Sequence, residues 1–137
     1  MKLENIVITE DDYRRLEWLI ASARGIYPRD ADRLDGLEQE LERAIIVQSD
    51  EVPPDVITMH SRVRIKDLES GREGAYRIVF PSEANVAENR ISVLAPMGTA
   101  LLGLRVGATV EWLAPAGMRR FRVLNVEYQP EAVRLAA

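Results

Sequence analysis

The sequence predicts an α+β protein in which a short antiparallel helical hairpin precedes a β-sheet domain with one short helix. Apolar residues recur every three or four positions up to residue 45, which is the period of a helix. Beyond residue 57 they recur at every second position, which is the period of a strand. Residues 49–55, with prolines at positions 53 and 54, separate the two patterns. We therefore predict two domains, residues 1–50 and residues 51–137.

The first helix is predicted to follow a short β-prone run at residues 6–8. Thr9 is a suitable N-cap, and the acidic residues at positions 10–12 suit the first turn of a helix. An apolar stripe then recurs at spacings of three and four: Tyr13, Leu16, Ile20 and Ala23, with Leu19 beside them. Gly25 and Pro28 end this helix.

The second helix is predicted to be capped by Asp30 or Asp32. Its apolar stripe repeats the spacing of the first: Leu34, Leu37, Leu41 and Ala44, with Ile45 extending the face. Two helices of about 15 residues form a coiled-coil-like hairpin roughly 20 to 25 Å long, at a rise of about 1.5 Å per residue. So short a hairpin needs the rest of the protein for its stability.

A β-hairpin is predicted to open the second domain. Its first strand alternates Val63 and Ile65 with cations, and a turn at residues 69–71 leads to a second strand that ends at Pro81. Arginine and lysine side chains alternate with the apolar ones on the two strands of this hairpin: Arg62, Arg64 and Lys66 on the first and Arg77 on the second. We interpret them as the solvated face of an amphipathic strand, and a basic face that meets an acidic partner is the alternative.

Three further strands and one short helix complete the predicted domain. Residues 90–94 read as a strand, and residues 97–104 suit a helix that is apolar nearly all round. Residues 109–113 and 119–128 form the last two strands, and the alternation slips by one between positions 123 and 124, which indicates a β-bulge.

Composition excludes several classes of protein. The chain has 137 residues, 47% of them hydrophobic and 29% charged, as in an ordinary globular protein, and it contains no cysteine. A net charge of −4 gives no reason to expect autonomous sequence-specific binding of nucleic acid. Residues 1–5 lack the features of a signal peptide, and no apolar run is long enough to cross a membrane. We expect a cytoplasmic monomer that does not bind membranes.

Three single residues are interpreted as structural or left open. His60 is the only histidine, and no nucleophile or carboxylate pattern accompanies it, so a structural role is the simplest interpretation. Trp112 is predicted to lie in the core. Trp18 lies off the main helical stripe, and it is either a seam between hairpin and sheet or an exposed contact.

Residues 91–107 resemble the signature of the C-terminal domain of bacterial Gre transcript-cleavage factors. The shared pattern is an apolar strand followed by Pro96-Met97-Gly98, Ala100-Leu101-Leu102-Gly103 and Val106-Gly107. The resemblance to Gre factors covers about residues 56–128. Nearly the whole chain is similar to the Rnk-like group of this family, whose helical hairpin is much shorter than that of the Gre factors. It implies an FKBP-like fold for the second domain.

The resemblance also implies a function. It implies RNA polymerase as the partner, bound at the rim of its secondary channel in competition with Gre-type factors and without cleavage of the transcript. Carried over by motif position, the polymerase-binding residues are Ser92, Pro96, Met97 and Gly98. The expected protein is a transcription regulator and not an enzyme, with no catalytic residue, metal site or cofactor.

Three alternatives remain open at this point. Cleavage factors of the family carry acidic residues to a catalytic magnesium ion, and Asp30 and Asp32 lie at the predicted hairpin tip, so weak transcript cleavage is one alternative. Helix capping explains both residues more simply. Direct regulation of nucleoside diphosphate kinase is the second alternative. Prolyl isomerisation is the third, but two Phe, four Tyr and two Trp spread along the chain indicate no aromatic pocket.

Overall fold

A computed structural model of the chain describes residues 5–26 and 28–136. It confirms the predicted α+β architecture, since a helical hairpin precedes a five-stranded sheet. Residues 1–4 and Tyr27 of the predicted first domain, and Ala137 of the second, lie outside the described residues. Among the described residues, no helix is both long enough and apolar enough to cross a membrane.

The hairpin consists of α1 (Glu10–Arg24) and α2 (Ala31–Arg43). Thr9 caps α1 as predicted, because its Oγ1 accepts a hydrogen bond from the Asp12 amide at 3.2 Å. The predicted apolar stripes are buried, and their most buried members are Leu16, Ile20, Ala23, Leu34, Leu37 and Leu41.

The predicted cap of α2 is confirmed in its position but not in its hydrogen bond. Asp30 occupies the N-cap position, but its side chain makes no capping hydrogen bond. The physical reason is its backbone, which belongs to the 3-10 turn Pro28–Asp30 and has φ −94° and ψ 7° instead of the extended conformation of an N-cap. Asp32 lies inside the first turn of α2.

The end of the hairpin is a strand that the sequence did not predict. Helix α2 stops at Arg43, and β2 (Ile45–Val47) pairs in parallel with β1 (Val7–Thr9), the β-prone run before α1. Ile45 is therefore not part of the helical face, and it is 51% exposed. A run of three β-branched residues favours a strand once a partner strand is adjacent.

The main sheet has the strand order β5-β4-β3-β7-β6. Its strands are β3 (Arg62–Asp67), β4 (Glu73–Val79), β5 (Arg90–Ser92), β6 (Thr109–Ala114) and β7 (Gly117–Tyr128). Strands β4 and β5 are parallel, and the other neighbours are antiparallel. The predicted bulge is confirmed, since Arg64 pairs with Asn125 and Ile65 with Val123, which leaves Leu124 as the extra residue.

Two helices complete the fold. The predicted short helix is α3 (Pro96–Leu101), and the sequence did not predict α4 (Pro130–Ala136). Just before α4, the buried Gln129 donates hydrogen bonds of 2.8 Å to the carbonyl oxygens of Pro53 and Val56. This C-terminal segment thereby fixes the linker between hairpin and sheet.

Hairpin and sheet share one hydrophobic core. Buried side chains of both form a single cluster. At the base of the hairpin, the Val7 amide donates to the Gly103 carbonyl oxygen at 3.1 Å, and Gly103 adopts φ +82° in a space where an added Cβ would lie 2.8 Å from the Ile6 Cβ. The hairpin therefore leans on the β domain, as its length predicts.

Candidate partner-binding surface

The predicted docking residues lie in one turn that joins a strand to a helix. Ser92 is the last residue of β5, and its Oγ accepts a hydrogen bond from the Leu94 amide at 3.1 Å. Pro96 is the first residue of α3, where its fixed φ suits the helix. We call residues 92–98 the docking turn.

The four residues differ in what they present to solvent. Pro96 is exposed, Ser92 and Met97 are half-buried, and Gly98 is buried. A Cβ on Gly98 would lie 2.1 Å from the Ser92 carbonyl oxygen, so only glycine allows α3 to approach β5 this closely. Gly98 therefore shapes the docking turn from beneath, and Pro96 and Met97 form its outer surface.

A groove separates α1 from the segment that follows β4. It has a volume of about 830 Å³, and six apolar side chains line it: Trp18, Leu19, Ala23, Phe80, Pro81 and Leu94. We call it the Trp18 groove. Trp18 is 72% exposed at this junction of hairpin and sheet, so it is an exposed side chain that borders the seam.

The charged side chains of the Trp18 groove are separated along it. Arg14 and Arg15 line the groove from α1, and Asp30 contributes from the hairpin tip. Arg14 forms an ion pair with Glu10. Arg15 is exposed, and it forms no ion pair with any residue among those that the structure describes.

The β domain has a second concavity, of about 590 Å³, which is lined by aromatic side chains. Trp112 is half-buried and stacks on Phe121, with ring centroids 4.5 Å apart and planes 8° from parallel. Tyr76 and Met97 also line this concavity. The sequence indicated no concentrated set of aromatic residues, because Tyr76 comes from β4, which is distant in the chain from the β6–β7 hairpin that carries Trp112 and Phe121.

Two acidic residues line this concavity, Asp67 and Glu73, and the carboxylate of Asp67 is fully engaged in hydrogen bonds. Burial alone would raise the pKa of Asp67, but hydrogen bonds from Arg119 and from the amides of Ser70 and Glu69 outweigh it and lower the pKa to about 2. Asp67 is therefore an ionised structural anchor for the turn after β3 and is unsuited to proton transfer near neutral pH.

His60 has a carboxylate partner that the sequence did not reveal. Its Nε2 donates to Glu83 Oε1 at 2.8 Å, and this hydrogen bond lowers the pKa of Glu83. The His60 carbonyl oxygen accepts from Arg77 Nη1 at 3.1 Å, and its ring contacts Phe80 at 5.7 Å between centroids. These contacts favour the structural interpretation of His60, which holds the segment after β4 in place.

Three of the four basic residues predicted on the first β-hairpin have partners within the sheet: Arg62, Arg64 and Arg77. Arg62 and Arg64 both donate to Glu127, at 3.0 and 2.8 Å, and their hydrogen bonds lower its pKa. Arg77 lies over the Tyr128 ring at 4.9 Å from its centroid. This pairing favours the interpretation as a solvated face.

At the hairpin tip, Asp30 lines the Trp18 groove together with Leu94 of the docking turn, and Asp32 lies in the first turn of α2. Asp30 is half-buried and Asp32 is exposed, and neither side chain forms an ion pair with another described residue. No group of three or more His, Asp or Glu side chains that could hold a metal ion occurs in the described ranges.

Comparison with known proteins identifies the class to which this architecture belongs. The chain superimposes with a TM-score of 0.74 on a prokaryotic transcription elongation factor GreA/GreB from Nitrosomonas europaea, with 39% sequence identity over 91% of this chain and 99% of that one. Residues 52–128 match the family described as transcription elongation factor GreA/GreB, C-terminal, and residues 4–47 match the Rnk N-terminus.

Individual relatives support the same assignment. The regulator of nucleoside diphosphate kinase from Escherichia coli strain K12 is 43% identical over 99 residues, which are 72% of this chain and 73% of that protein. The transcription elongation factor GreA of Clostridium beijerinckii is 37% identical over 69% of this chain and 59% of its own length. The chain therefore belongs to the GreA/GreB family of transcription elongation factors, with an N-terminus of the Rnk type, which confirms the resemblance found in the sequence.

Proposed function

We propose that this protein binds RNA polymerase at the rim of the secondary channel and competes there with Gre-type factors, without cleaving the transcript. It acts as a cytoplasmic monomer. Residues 51–137 dock on the polymerase, and residues 1–50 face the channel. The observation that carries the proposal is the docking turn, which lies within the family-matched residues 52–128 and exposes Pro96 on the surface.

The docking turn is well suited to recognition because it is held from both sides. The Ser92 Oγ binds the Leu94 amide at 3.1 Å, and the Thr99 Oγ1 donates to the Val93 carbonyl oxygen at 2.6 Å. The Val93 amide in turn donates to Val79 of β4 at 2.8 Å. A surface that is already ordered loses little conformational entropy when a partner binds.

The dimensions of the hairpin support occupancy of the channel without cleavage. Helix α1 has 15 residues, which corresponds to about 22 Å at 1.5 Å per residue. The hairpin is also packed on the sheet through the shared core, so its tip does not extend independently of the β domain.

The test is a titration of core RNA polymerase with labelled protein, with and without a Gre factor as competitor. A stalled elongation complex is followed in parallel for shortened transcripts. We expect binding that the competitor displaces and transcripts of unchanged length. Binding with shortened transcripts would instead make Asp30 and Asp32 candidates for catalysis, and absence of binding at micromolar protein would overturn the proposal.

The docking turn itself is tested by Pro96→Glu, alone and combined with Met97→Glu. A carboxylate at an exposed apolar contact must lose its water on binding, so we expect the double variant to bind at least tenfold more weakly. Pro96→Glu alone is the safer probe of the surface, because Met97 also packs against the core. Leu113→Glu, at a residue that is 71% exposed on β6, is the matched control and should bind normally.

A second candidate is direct regulation of nucleoside diphosphate kinase, because the E. coli relative is named as a regulator of that enzyme. Titration of the purified kinase with this protein, with kinase activity as the readout, tests it. A change in activity at stoichiometric protein would support direct regulation, and unchanged activity would leave the polymerase as the partner.

A further inference from the structure

We infer that the Trp18 groove is a second contact for the same polymerase and takes an amphipathic segment whose apolar side is flanked by carboxylates. The partner is assigned from the proposed function, on which this inference rests. The side of the hairpin then contributes to polymerase binding, in addition to the proposed position of its tip in the channel.

The first observation is the exposure of a large aromatic side chain in an apolar setting. Trp18 is 72% exposed, yet it borders the half-buried Leu19 and Phe80 and the buried Leu94. Burial of a tryptophan against such a surface is one of the largest contributions a single residue makes to an interface. A solvent-facing tryptophan at the edge of an apolar depression is thus the typical anchor of a protein contact.

The second observation is that both walls of the groove are fixed. Glu83 accepts hydrogen bonds from the His60 ring at 2.8 Å and from the Phe80 amide at 3.4 Å, which holds the wall after β4. On the opposite wall, Asp12 of α1 accepts a hydrogen bond from the Met59 amide at 3.0 Å. The groove is therefore already formed in the free protein, and binding of a partner costs little conformational entropy for ordering it.

The third observation is charge. Arg14 and Arg15 lie along the α1 side of the groove, and Arg15 has no ion pair among the described residues. An exposed guanidinium beside an apolar groove complements a carboxylate beside an apolar ridge. The partner segment is accordingly acidic where it meets α1.

The fourth observation is continuity with the docking turn. Leu94 lines the groove and belongs to the docking turn, two residues before the exposed Pro96. A partner that covers Pro96 therefore reaches the mouth of the groove without a gap. A volume of about 830 Å³ provides room for several side chains, since pockets for drug-sized ligands hold roughly 300–1,000 Å³.

The inference is tested by polymerase titration with Trp18→Ala and with Arg15→Glu. Because the chain contains no cysteine, a single label is placed through Val133→Cys on the exposed side of α4, away from the groove. We expect Trp18→Ala to weaken binding at least tenfold. Arg15→Glu should weaken it several-fold at low salt, with a smaller difference at high salt because ions screen the interaction.

Two matched controls, and the comparison with Pro96→Glu, distinguish failure of this inference from failure of the proposed function. Leu113→Ala replaces an apolar side chain of similar exposure outside the groove, and Arg72→Glu reverses an exposed cation elsewhere; both should bind like the unmodified protein. If Trp18→Ala and Arg15→Glu bind normally while Pro96→Glu does not, the groove is no contact and the proposed function stands. If the unmodified protein does not bind polymerase, the proposed function fails and this inference with it.

Discussion

At the scale of single residues, the docking turn depends on the absence of a side chain at Gly98. A Cβ there would lie 2.1 Å from the Ser92 carbonyl oxygen and 2.9 Å from the Val93 Cα, and both are backbone atoms that cannot rotate away. We therefore expect Gly98→Ala to push α3 away from β5. The expected loss in the free energy of unfolding is about 1–3 kcal/mol, as for other overpacked sites. Urea denaturation measures this loss, and polymerase titration at a temperature where the variant is folded should also show weaker binding.

The control for this prediction is a glycine in open space. Gly36 lies inside α2, and an added Cβ would meet no atom within 4 Å. Gly36→Ala should raise the free energy of unfolding by up to about 1 kcal/mol, because alanine favours the helix. Equal effects of the two substitutions would show that close packing at Gly98 is not what matters.

At the scale of elements, a buried carboxylate joins the hairpin to the β domain. Asp12 of α1 is 4% exposed and accepts a hydrogen bond from the Met59 amide. Burial, and to a smaller extent the nearby Glu131, raises its pKa from 3.8 to about 6 against the opposing effect of that hydrogen bond. The protonated form is thus the one that the fold prefers.

The direction of the pH dependence follows from this shift. Because the pKa of Asp12 is higher in the folded state, its stabilising contribution is complete below about pH 3.8 and is lost as the pH rises through about 6. The difference corresponds to roughly 3 kcal/mol at about 1.4 kcal/mol per pKa unit. Asp12→Asn keeps an acceptor for the Met59 amide without the charge. We expect it to raise the free energy of unfolding at pH 7.5 and to flatten its change between pH 4 and pH 6.5, as measured by urea denaturation.

A second variant separates this effect from other titrating groups. Glu131→Gln keeps an acceptor for the Thr58 hydroxyl, which donates to Glu131 at 2.7 Å, and removes a charge that raises the pKa of Asp12. The pH at which stability declines should therefore move downward. An unchanged pH profile in both variants would mean that Asp12 does not carry the dependence.

At the scale of the whole molecule, the sequence predicted the elements that depend on local periodicity. The stripes of both helices, the Thr9 cap and the bulge at Leu124 follow from spacing along the chain, and all three are present. The sequence did not predict β2 or α4. Residues 45–47 continue the apolar pattern of α2, and their strand partner, residues 7–9, precedes α1 and is therefore distant in the chain. Gln129 gives no periodic signal, since its burial depends on carbonyl groups more than 70 residues away.

Only the part of the candidate surface that is marked by a sequence motif could be predicted from the sequence. The docking turn follows from the family signature around Pro96. The Trp18 groove does not, because Phe80 and Leu94 approach α1 only after hairpin and sheet have packed together. The contact between His60 and Glu83 spans 23 residues for the same reason. Contacts between elements leave no pattern in a single sequence.

The shared core also predicts that hairpin and sheet unfold together. Leu34 of α2 is fully buried in the same cluster as side chains of the sheet, so Leu34→Ala should lower the stability of both parts by about 2–5 kcal/mol. Two tryptophans report on the two parts: Trp112→Phe leaves Trp18 on the hairpin, and Trp18→Phe leaves Trp112 on β6. When Leu34→Ala is added to either of these variants, we expect the denaturation midpoint, followed by tryptophan fluorescence, to fall by the same amount. Ile26→Ala, at an exposed residue of the tip, should shift neither transition. A shift of the Trp18 transition alone would show that the hairpin unfolds as an independent unit, and the protein would then present its docking turn without a fixed groove beside it.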